Sequence, residues 1–122
     1  MKKGRKISGG KYHKPRKKKA YEMPGQKRSV RLGEEKRKSR RVMGGNRKTF
    51  LFNTKFVTIN ANGKSKKVEI KNVVETPSNR FLARQNVITK GTIVETEAGK
   101  VRITNRPGQE GAISGIVVEQ QR

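Results

Sequence analysis

The chain has 122 residues, of which 32 are Lys or Arg against nine acidic residues and one His, a formal net charge of +23 at pH 7. With 30% apolar and 5% aromatic residues it supports one modest core and leaves much of its length outside it. The absence of cysteine excludes a disulfide scaffold, a zinc ribbon and a thiol nucleophile. No apolar run of signal-peptide or membrane-span length follows Met1-Lys2-Lys3-Gly4 or occurs elsewhere, so the expectation is a soluble intracellular protein whose charge is answered by a polyanion.

Residues 1–48 hold 12 Lys and 8 Arg against Glu22, Glu34 and Glu35, a net +17, with ten apolar residues. This composition reads as a basic extension, extended and disordered when free, because self-repulsion outweighs the little area available for burial. Its candidate RNA-binding residues run in order along it. Lys2, Lys3, Arg5 and Lys6 come first, then Lys11, Tyr12, His13 and Lys14 after Gly9-Gly10, then Arg16, Lys17, Lys18 and Lys19 ahead of Tyr21. Lys27, Arg28 and Arg31 follow Pro24-Gly25, and Lys36, Arg37, Lys38, Arg40 and Arg41 lead to Arg47 and Lys48. Lys neutralises phosphate as a point charge, whereas Arg can also fork onto phosphate or stack on a base. Tyr12 and Tyr21 are the aromatics interleaved with this charge, and packing on the body competes with base stacking as their role. His13 sits between Tyr12 and Lys14, surroundings that disfavour metal binding and a general-base role and leave stacking on a base or no measurable role. Glu34-Glu35, Arg40-Arg41 and Gly44 match the two ends and the stop of a short helix. It has no apolar face, so it is expected to form only against phosphate.

Residues 49–122 carry a net +6 and 26 apolar residues, and read as strands joined by tight turns, forming a body that folds by itself. Asn62-Gly63 is a two-residue hairpin signal that sets Val57 opposite Val68 and Leu51 opposite Val74. Thr76 or Ser78 is available to cap a helical turn through Phe81, Leu82 and Arg84. Ala98-Gly99 is a weaker turn signal, whose register opposes Glu95 to Arg102, Glu97 to Lys100 and Val94 to Ile103. Ile116-Val117-Val118 is suited to a strand buried on both sides. The fold class expected is mainly β, a small antiparallel β-barrel body with a short helix, preceded by a long, basic, largely irregular N-terminal extension. Arg80, Arg84, Lys90, Arg102 and Arg106 lie near turns and strand ends, where a second phosphate-binding surface can form at one end of the barrel.

No catalytic constellation emerges. Glu95 and Glu97 are two apart on a strand, but the hairpin register gives each a basic partner. Gly63-Lys64-Ser65 resembles the end of a phosphate-binding loop, yet Thr58 stands where that loop needs a glycine. No metal, cofactor or small-molecule substrate is expected.

Over nearly the whole chain the order of short motifs resembles one family. They are Ser8-Gly9-Gly10-Lys11, Lys17-Lys18-Lys19-Ala20-Tyr21-Glu22, Leu32-Gly33-Glu34, Gly44-Gly45-Asn46, Pro77-Ser78-Asn79-Arg80, Ile88-Thr89-Lys90-Gly91-Thr92-Ile93 and Arg106-Pro107-Gly108-Gln109-Glu110-Gly111. The family is small-subunit ribosomal protein eight of the archaeal and eukaryotic type, distinct from the universal ribosomal protein of the same number. The resemblance implies a β-barrel body, an extension threaded into small-subunit ribosomal RNA, neighbouring small-subunit proteins as partners, a place on the cytoplasmic ribosome and no catalysis. It adds Asn46, within its motif, to the RNA-binding set. The chain lacks the large body insertion of eukaryotic members and so looks archaeal. Ser8 stands where Thr is usual, and Met43 where the family tends to have Arg, so Met43 is left out of the set. A free-standing nucleic-acid chaperone or chromatin-type protein shares the charge and the tail, and an enzyme needs a catalytic pair that these residues do not supply.

Overall fold

A two-residue turn between strands needs left-handed backbone, and Gly63 supplies it at φ 74°. In the computed structural model, which describes residues 4–13, 15–61 and 63–119, β4 (Phe56–Ala61) runs antiparallel to β5 (Lys64–Glu75) with Val57 opposite Val68. Asn62, the other turn residue, lies outside the described residues. The ladder ends at Phe56↔Glu69, so Leu51 does not face Val74. The chain changes sheets at Lys55: the Thr54 hydroxyl accepts from the Phe56 N–H at 3.3 Å, and the Lys55 carbonyl accepts from Ile70 N–H at 2.7 Å. Leu51 instead lies in β3 (Arg47–Thr54) opposite Arg37, and Val74 is exposed.

Five strands close into a barrel in the order β4, β5, β7 (Ile93–Thr96), β8 (Gly99–Ile103), β9 (Ser114–Glu119). All neighbours are antiparallel except β9 and β4, whose parallel pairing joins Thr58 to Ser114 and Ile59 to Gly115 and shuts the barrel. Closure removes free edges, and alternation decides the lining. On β8, Val101 and Ile103 point in while Lys100 and Arg102 stay exposed. Val57, Ile59, Val68, Ile70, Val73, Val94 and Ile113 complete the interior. Register shifts between Ile70 and Asn72 and between Val73 and Glu75 interrupt the pairing of the 12-residue β5 with β7, and such bulges bend a strand around a small barrel.

The β7–β8 turn is Glu97-Ala98, one position before Ala98-Gly99. Glu95 faces Lys100, and Val94 faces Val101. The Thr96 hydroxyl accounts for the change: it accepts from Ala98 N–H at 3.3 Å and donates to the Gly99 carbonyl at 2.9 Å, closing the turn a residue early. On β9, Ile116 and Val118 are exposed while Gly115 is buried, so this strand is covered on one side and not on both. The helix α1 (Arg80–Arg84) is capped by neither Thr76 nor Ser78. Asn79 caps it, its side chain accepting from Phe81 N–H at 3.0 Å.

A second sheet, in the order β2 (Lys36–Arg41), β3, β1 (Val30–Leu32), β6 (Val87–Ile88), stands beside the barrel. β1 is parallel to β3 and antiparallel to β6, and its Val30 packs with Leu51 and Ile88 into the same core as the barrel residues. β2 replaces the expected short helix. A helix over these residues has no apolar face to bury, whereas β3 offers six backbone partners and a Ser39–Thr49 hydroxyl bond at 2.8 Å. The compositional boundary after Lys48 therefore falls within β3. Among the described residues, 4–29 contribute no strand to either sheet. They hold a turn at 5–11, where Lys6 N–H donates to the Gly10 carbonyl at 2.9 Å and Gly9 N–H to the Lys6 carbonyl at 2.9 Å, and a 3-10 turn at Ala20–Glu22. Glu22 anchors that turn, accepting from Lys19 N–H and pairing with Arg16, and these bonds hold its carboxyl below the ordinary carboxylate value. The anchor is fully present above the unfolded value and is released as acid carries the pH down through the lowered one.

Thr76 is 1% exposed, and its buried hydroxyl has no hydrogen-bond partner among the described residues. A buried, unpaired polar group costs on the order of 1 kcal/mol or more. Thr76→Val, which keeps the shape and removes the hydroxyl, is therefore expected to raise the urea midpoint by an amount equivalent to about 1 kcal/mol; a lowered midpoint would show that the hydroxyl has a partner.

Candidate nucleic-acid interface

Cross-strand neighbours on a sheet normally balance charge, because like charges directly opposite one another repel. The β2–β3 ladder does the reverse: Arg40 faces Lys48 and Arg41 faces Arg47. Every residue of β2 is exposed, so these side chains are open to solvent. The strands are joined by a turn through Gly44 and Gly45, with Val42 N–H donating to the Asn46 carbonyl at 2.7 Å.

Beside this ladder lies an open groove of about 590 Å³ lined by Arg28, Arg40, Arg41, Val42, Met43, Lys48 and Phe50. Four cations converge on it, and among the described residues no carboxylate lines it. The Arg28 guanidinium carbon sits 3.8 Å from the centroid of the Phe50 ring, a stacking contact that holds its charge at the groove wall. Phe50 is itself buried and braced edge-on by Phe52, with centroids 5.4 Å apart. Dense positive charge on a partly apolar wall suits the backbone of a polyanion that also carries flat, stackable groups.

Arg28 also lines a second cavity, of about 410 Å³, shared with Gln26, Val30, Ser78, Ile88, Thr89, Lys90, Arg106, Pro107, Gly108 and Gln109. The fold thus gathers Arg28, Arg40, Arg41 and Lys48 at one place and Arg28, Lys90 and Arg106 at an adjoining one. Arg84 does not join them; it lines a separate cleft with Asn72, Val73, Val74, Ala83 and Asn86. Arg80 opens α1 and Arg102 faces outward from β8, so these five body cations do not form one ring.

In the extension, Arg5 and Lys11 close a small turn whose Lys6 ammonium lies 5.8 Å from the Tyr12 ring. Lys19 lies 6.0 Å from the Tyr21 ring. Tyr12 is 54% and Tyr21 78% exposed, so neither packs into the body. His13, Lys17, Lys18, Lys27 and Arg31 are exposed, as are Lys36, Lys38 and Asn46. Arg16 and Arg37 have carboxylate partners in Glu22 and Glu35. Lys2, Lys3 and Lys14 lie outside the described residues.

Among the groove and cavity residues, Gln26 and Phe50 carry no functional mark in the sequence, and Met43 and Gln109 stand out there only through the family's motifs. Met43 stands in the sequence as a missing cation, yet it is 96% exposed at the groove. Phe50 reads as ordinary core, and only the stacked Arg28 reveals a second use. Among the described residues no cluster of His, Cys, Asp or Glu has the makings of a metal site. No described helix is long and apolar enough to cross a membrane.

Comparison with known proteins points the same way as the geometry. The profile of a family described as Ribosomal protein S8e matches residues 1–118. The small ribosomal subunit protein eS8 of Nanoarchaeum equitans is 43% identical over 115 residues, covering 93% of this chain and 91% of the relative. Its counterpart in Staphylothermus marinus is 46% identical over 119 residues, covering 95% and 93%. That of Methanocorpusculum labreanum is 38% identical over 117 residues, covering 94% of each.

Proposed function

The chain belongs to the ribosomal protein S8e family, and from that premise we propose that it is a structural constituent of the small ribosomal subunit that holds ribosomal RNA helices together. Residues 1–48, whose later part forms β1, β2 and the start of β3, act as the RNA-binding extension, and residues 49–122 hold the barrel that seats it, with neighbouring small-subunit proteins as further partners on the cytoplasmic ribosome. The observation that carries the reading is the pairing of Arg40 with Lys48 and of Arg41 with Arg47. That arrangement is unfavourable in the free protein and becomes favourable when phosphates lie between the cations. The basic extension adds reach: its positive segments neutralise phosphate, and this offsets the entropy of ordering them on RNA.

The reading assigns the chain no catalysis. Glu95 faces Lys100 across the β7–β8 ladder and Glu97 sits in an open turn, so the two do not form an acid–base pair over a cavity.

Crosslinking in growing cells followed by identification of RNA and peptide tests the proposal. A few fixed positions in small-subunit ribosomal RNA, joined to peptides containing Arg40 to Lys48, are expected. Crosslinks scattered over many RNAs or over DNA, without preference for ribosomal RNA, would replace this reading with a free-standing binding protein.

A further inference from the structure

We propose that the cavity between Arg28, Lys90 and Arg106 takes one unstacked nucleotide of the bound RNA and reads its base through Gln26 and Gln109. The inference rests on the RNA-binding reading above and adds to it a site and a ligand class.

The cavity's lining divides by chemistry. Its floor is apolar: Val30 and Ile88, each 1% exposed, face one another across the β1–β6 pairing, and the buried Pro107 lies beside them. Lys90 and Arg106 bring its cations from distant parts of the chain, Arg28 borders it while its guanidinium rests on Phe50 at the groove, and among the described residues no carboxylate lines it. Glu110, the nearest acid in sequence, is engaged by the Asn105 side chain at 2.7 Å. A bare phosphate needs only donors. Gln26 and Gln109 bring amide groups that both donate and accept, which matches the edge of a base, and the apolar floor matches its face. A volume of about 410 Å³ is in the range of small-ligand pockets.

The walls are held in place. The Arg106 carbonyl accepts from both Gln109 N–H at 3.0 Å and Glu110 N–H at 3.1 Å, fixing the turn that presents Gln109. Thr89 N–H donates to the Thr92 hydroxyl at 3.0 Å, and Gly91 N–H donates to the Ile103 carbonyl at 2.8 Å, anchoring the loop that carries Lys90 to the barrel. The Pro107 carbonyl accepts from Leu51 N–H at 3.2 Å and so ties the same corner to β3. Arg28 belongs to this cavity and to the groove of Arg40, Arg41 and Lys48 at once. A strand whose phosphates follow the groove therefore meets Arg28, the residue that also borders the cavity.

The test uses the full chain bound to structured small-subunit ribosomal RNA, probed with dimethyl sulfate and a carbodiimide, which between them report the Watson–Crick edges of all four bases. In the complex with the unaltered chain, one unpaired nucleotide is expected to be protected. Replacing Gln26→Ala and Gln109→Ala together should expose that nucleotide and lower affinity about tenfold. The salt dependence of binding should stay as it was, because no phosphate contact is removed. Gly108→Leu provides a second variant: it adds bulk to the lining without touching charge, at a position where an added Cβ lies 3.6 Å from the Arg28 carbonyl, an ordinary contact. It should expose the same nucleotide. Protection and affinity unchanged in both variants would overturn the proposal while leaving RNA binding intact. Inorganic phosphate that removes the protection as well as a nucleoside monophosphate does would show a phosphate site and overturn it too. Failure of the unaltered chain to bind the RNA would remove the underlying reading itself.

Discussion

Changing Arg40, Arg41 and Lys48 together to glutamine is expected to weaken binding to structured ribosomal RNA on the order of a hundredfold near 0.1 M salt and to flatten the salt dependence by roughly two counterions. All three side chains line one groove, and two of them form a like-charged cross-strand pair. Their replacement should also make the RNA-free protein slightly more stable, since repulsion between Arg40 and Lys48, and between Arg41 and Arg47, is relieved. Opposite effects on binding and stability are the signature of a surface built for a polyanion. Titration over a range of salt and thermal unfolding without RNA would measure the two. An unchanged salt slope would show that phosphates lie elsewhere.

Gly115→Ala is expected to destabilise the barrel by about 2 to 3 kcal/mol, lowering the unfolding midpoint by roughly 10 to 20 °C. Gly115 sits on β9 opposite both Ile59 of β4 and Ile103 of β8, at the seam where the barrel closes. A Cβ there meets Val101 Cγ1 at 2.4 Å, the Arg102 carbonyl at 3.1 Å and Val57 Cγ2 at 3.3 Å. Val101 and Val57 are fully buried, and a close-packed interior leaves little room for them to move. Gly25→Ala, where the added carbon meets nothing within 4 Å, serves as the control and should leave the midpoint unchanged. Equal midpoints for the two variants would mean that the seam is looser than its geometry implies.

The barrel was legible in the sequence because its signals are local. Asn62-Gly63 marks its hairpin by backbone conformation, and Val57 and Val68 then fall opposite by counting. The second hairpin was misplaced by one residue because Gly99 is the visible turn former while the Thr96 hydroxyl, an ordinary strand residue on paper, closes the turn. The sequence suggests a short helix at β2 because Glu34-Glu35, Arg40-Arg41 and Gly44 match helix ends, while its six charged or polar residues show no strand period to oppose that. What makes them a strand is β3, and Arg40 finds Lys48 only through the fold. The same holds for the site. Each cation was countable, but the convergence of Arg28, Lys90 and Arg106 depends on β1 pairing with β6 across more than fifty residues of chain. Gln109 is marked in the sequence only as part of the Arg106–Gly111 motif, which says nothing of a cavity.

The parallel seam between β4 and β9 also orders events during synthesis. Strand β4 is finished at Ala61, yet its second neighbour begins at Ser114, so the barrel cannot close until the last strand has been made. The β2–β3 ribbon needs only its own short turn and is available much sooner. Every cation of the groove is therefore translated, and half of its framework pairable, while β4 and β8 still present bare edges to the surroundings. In that interval Lys64, Lys66 and Lys67, which face β4 across its ladder, with Lys100 and Arg102 on β8, place positive charge beside those edges, where like charge disfavours the pairing of one unfinished copy with another.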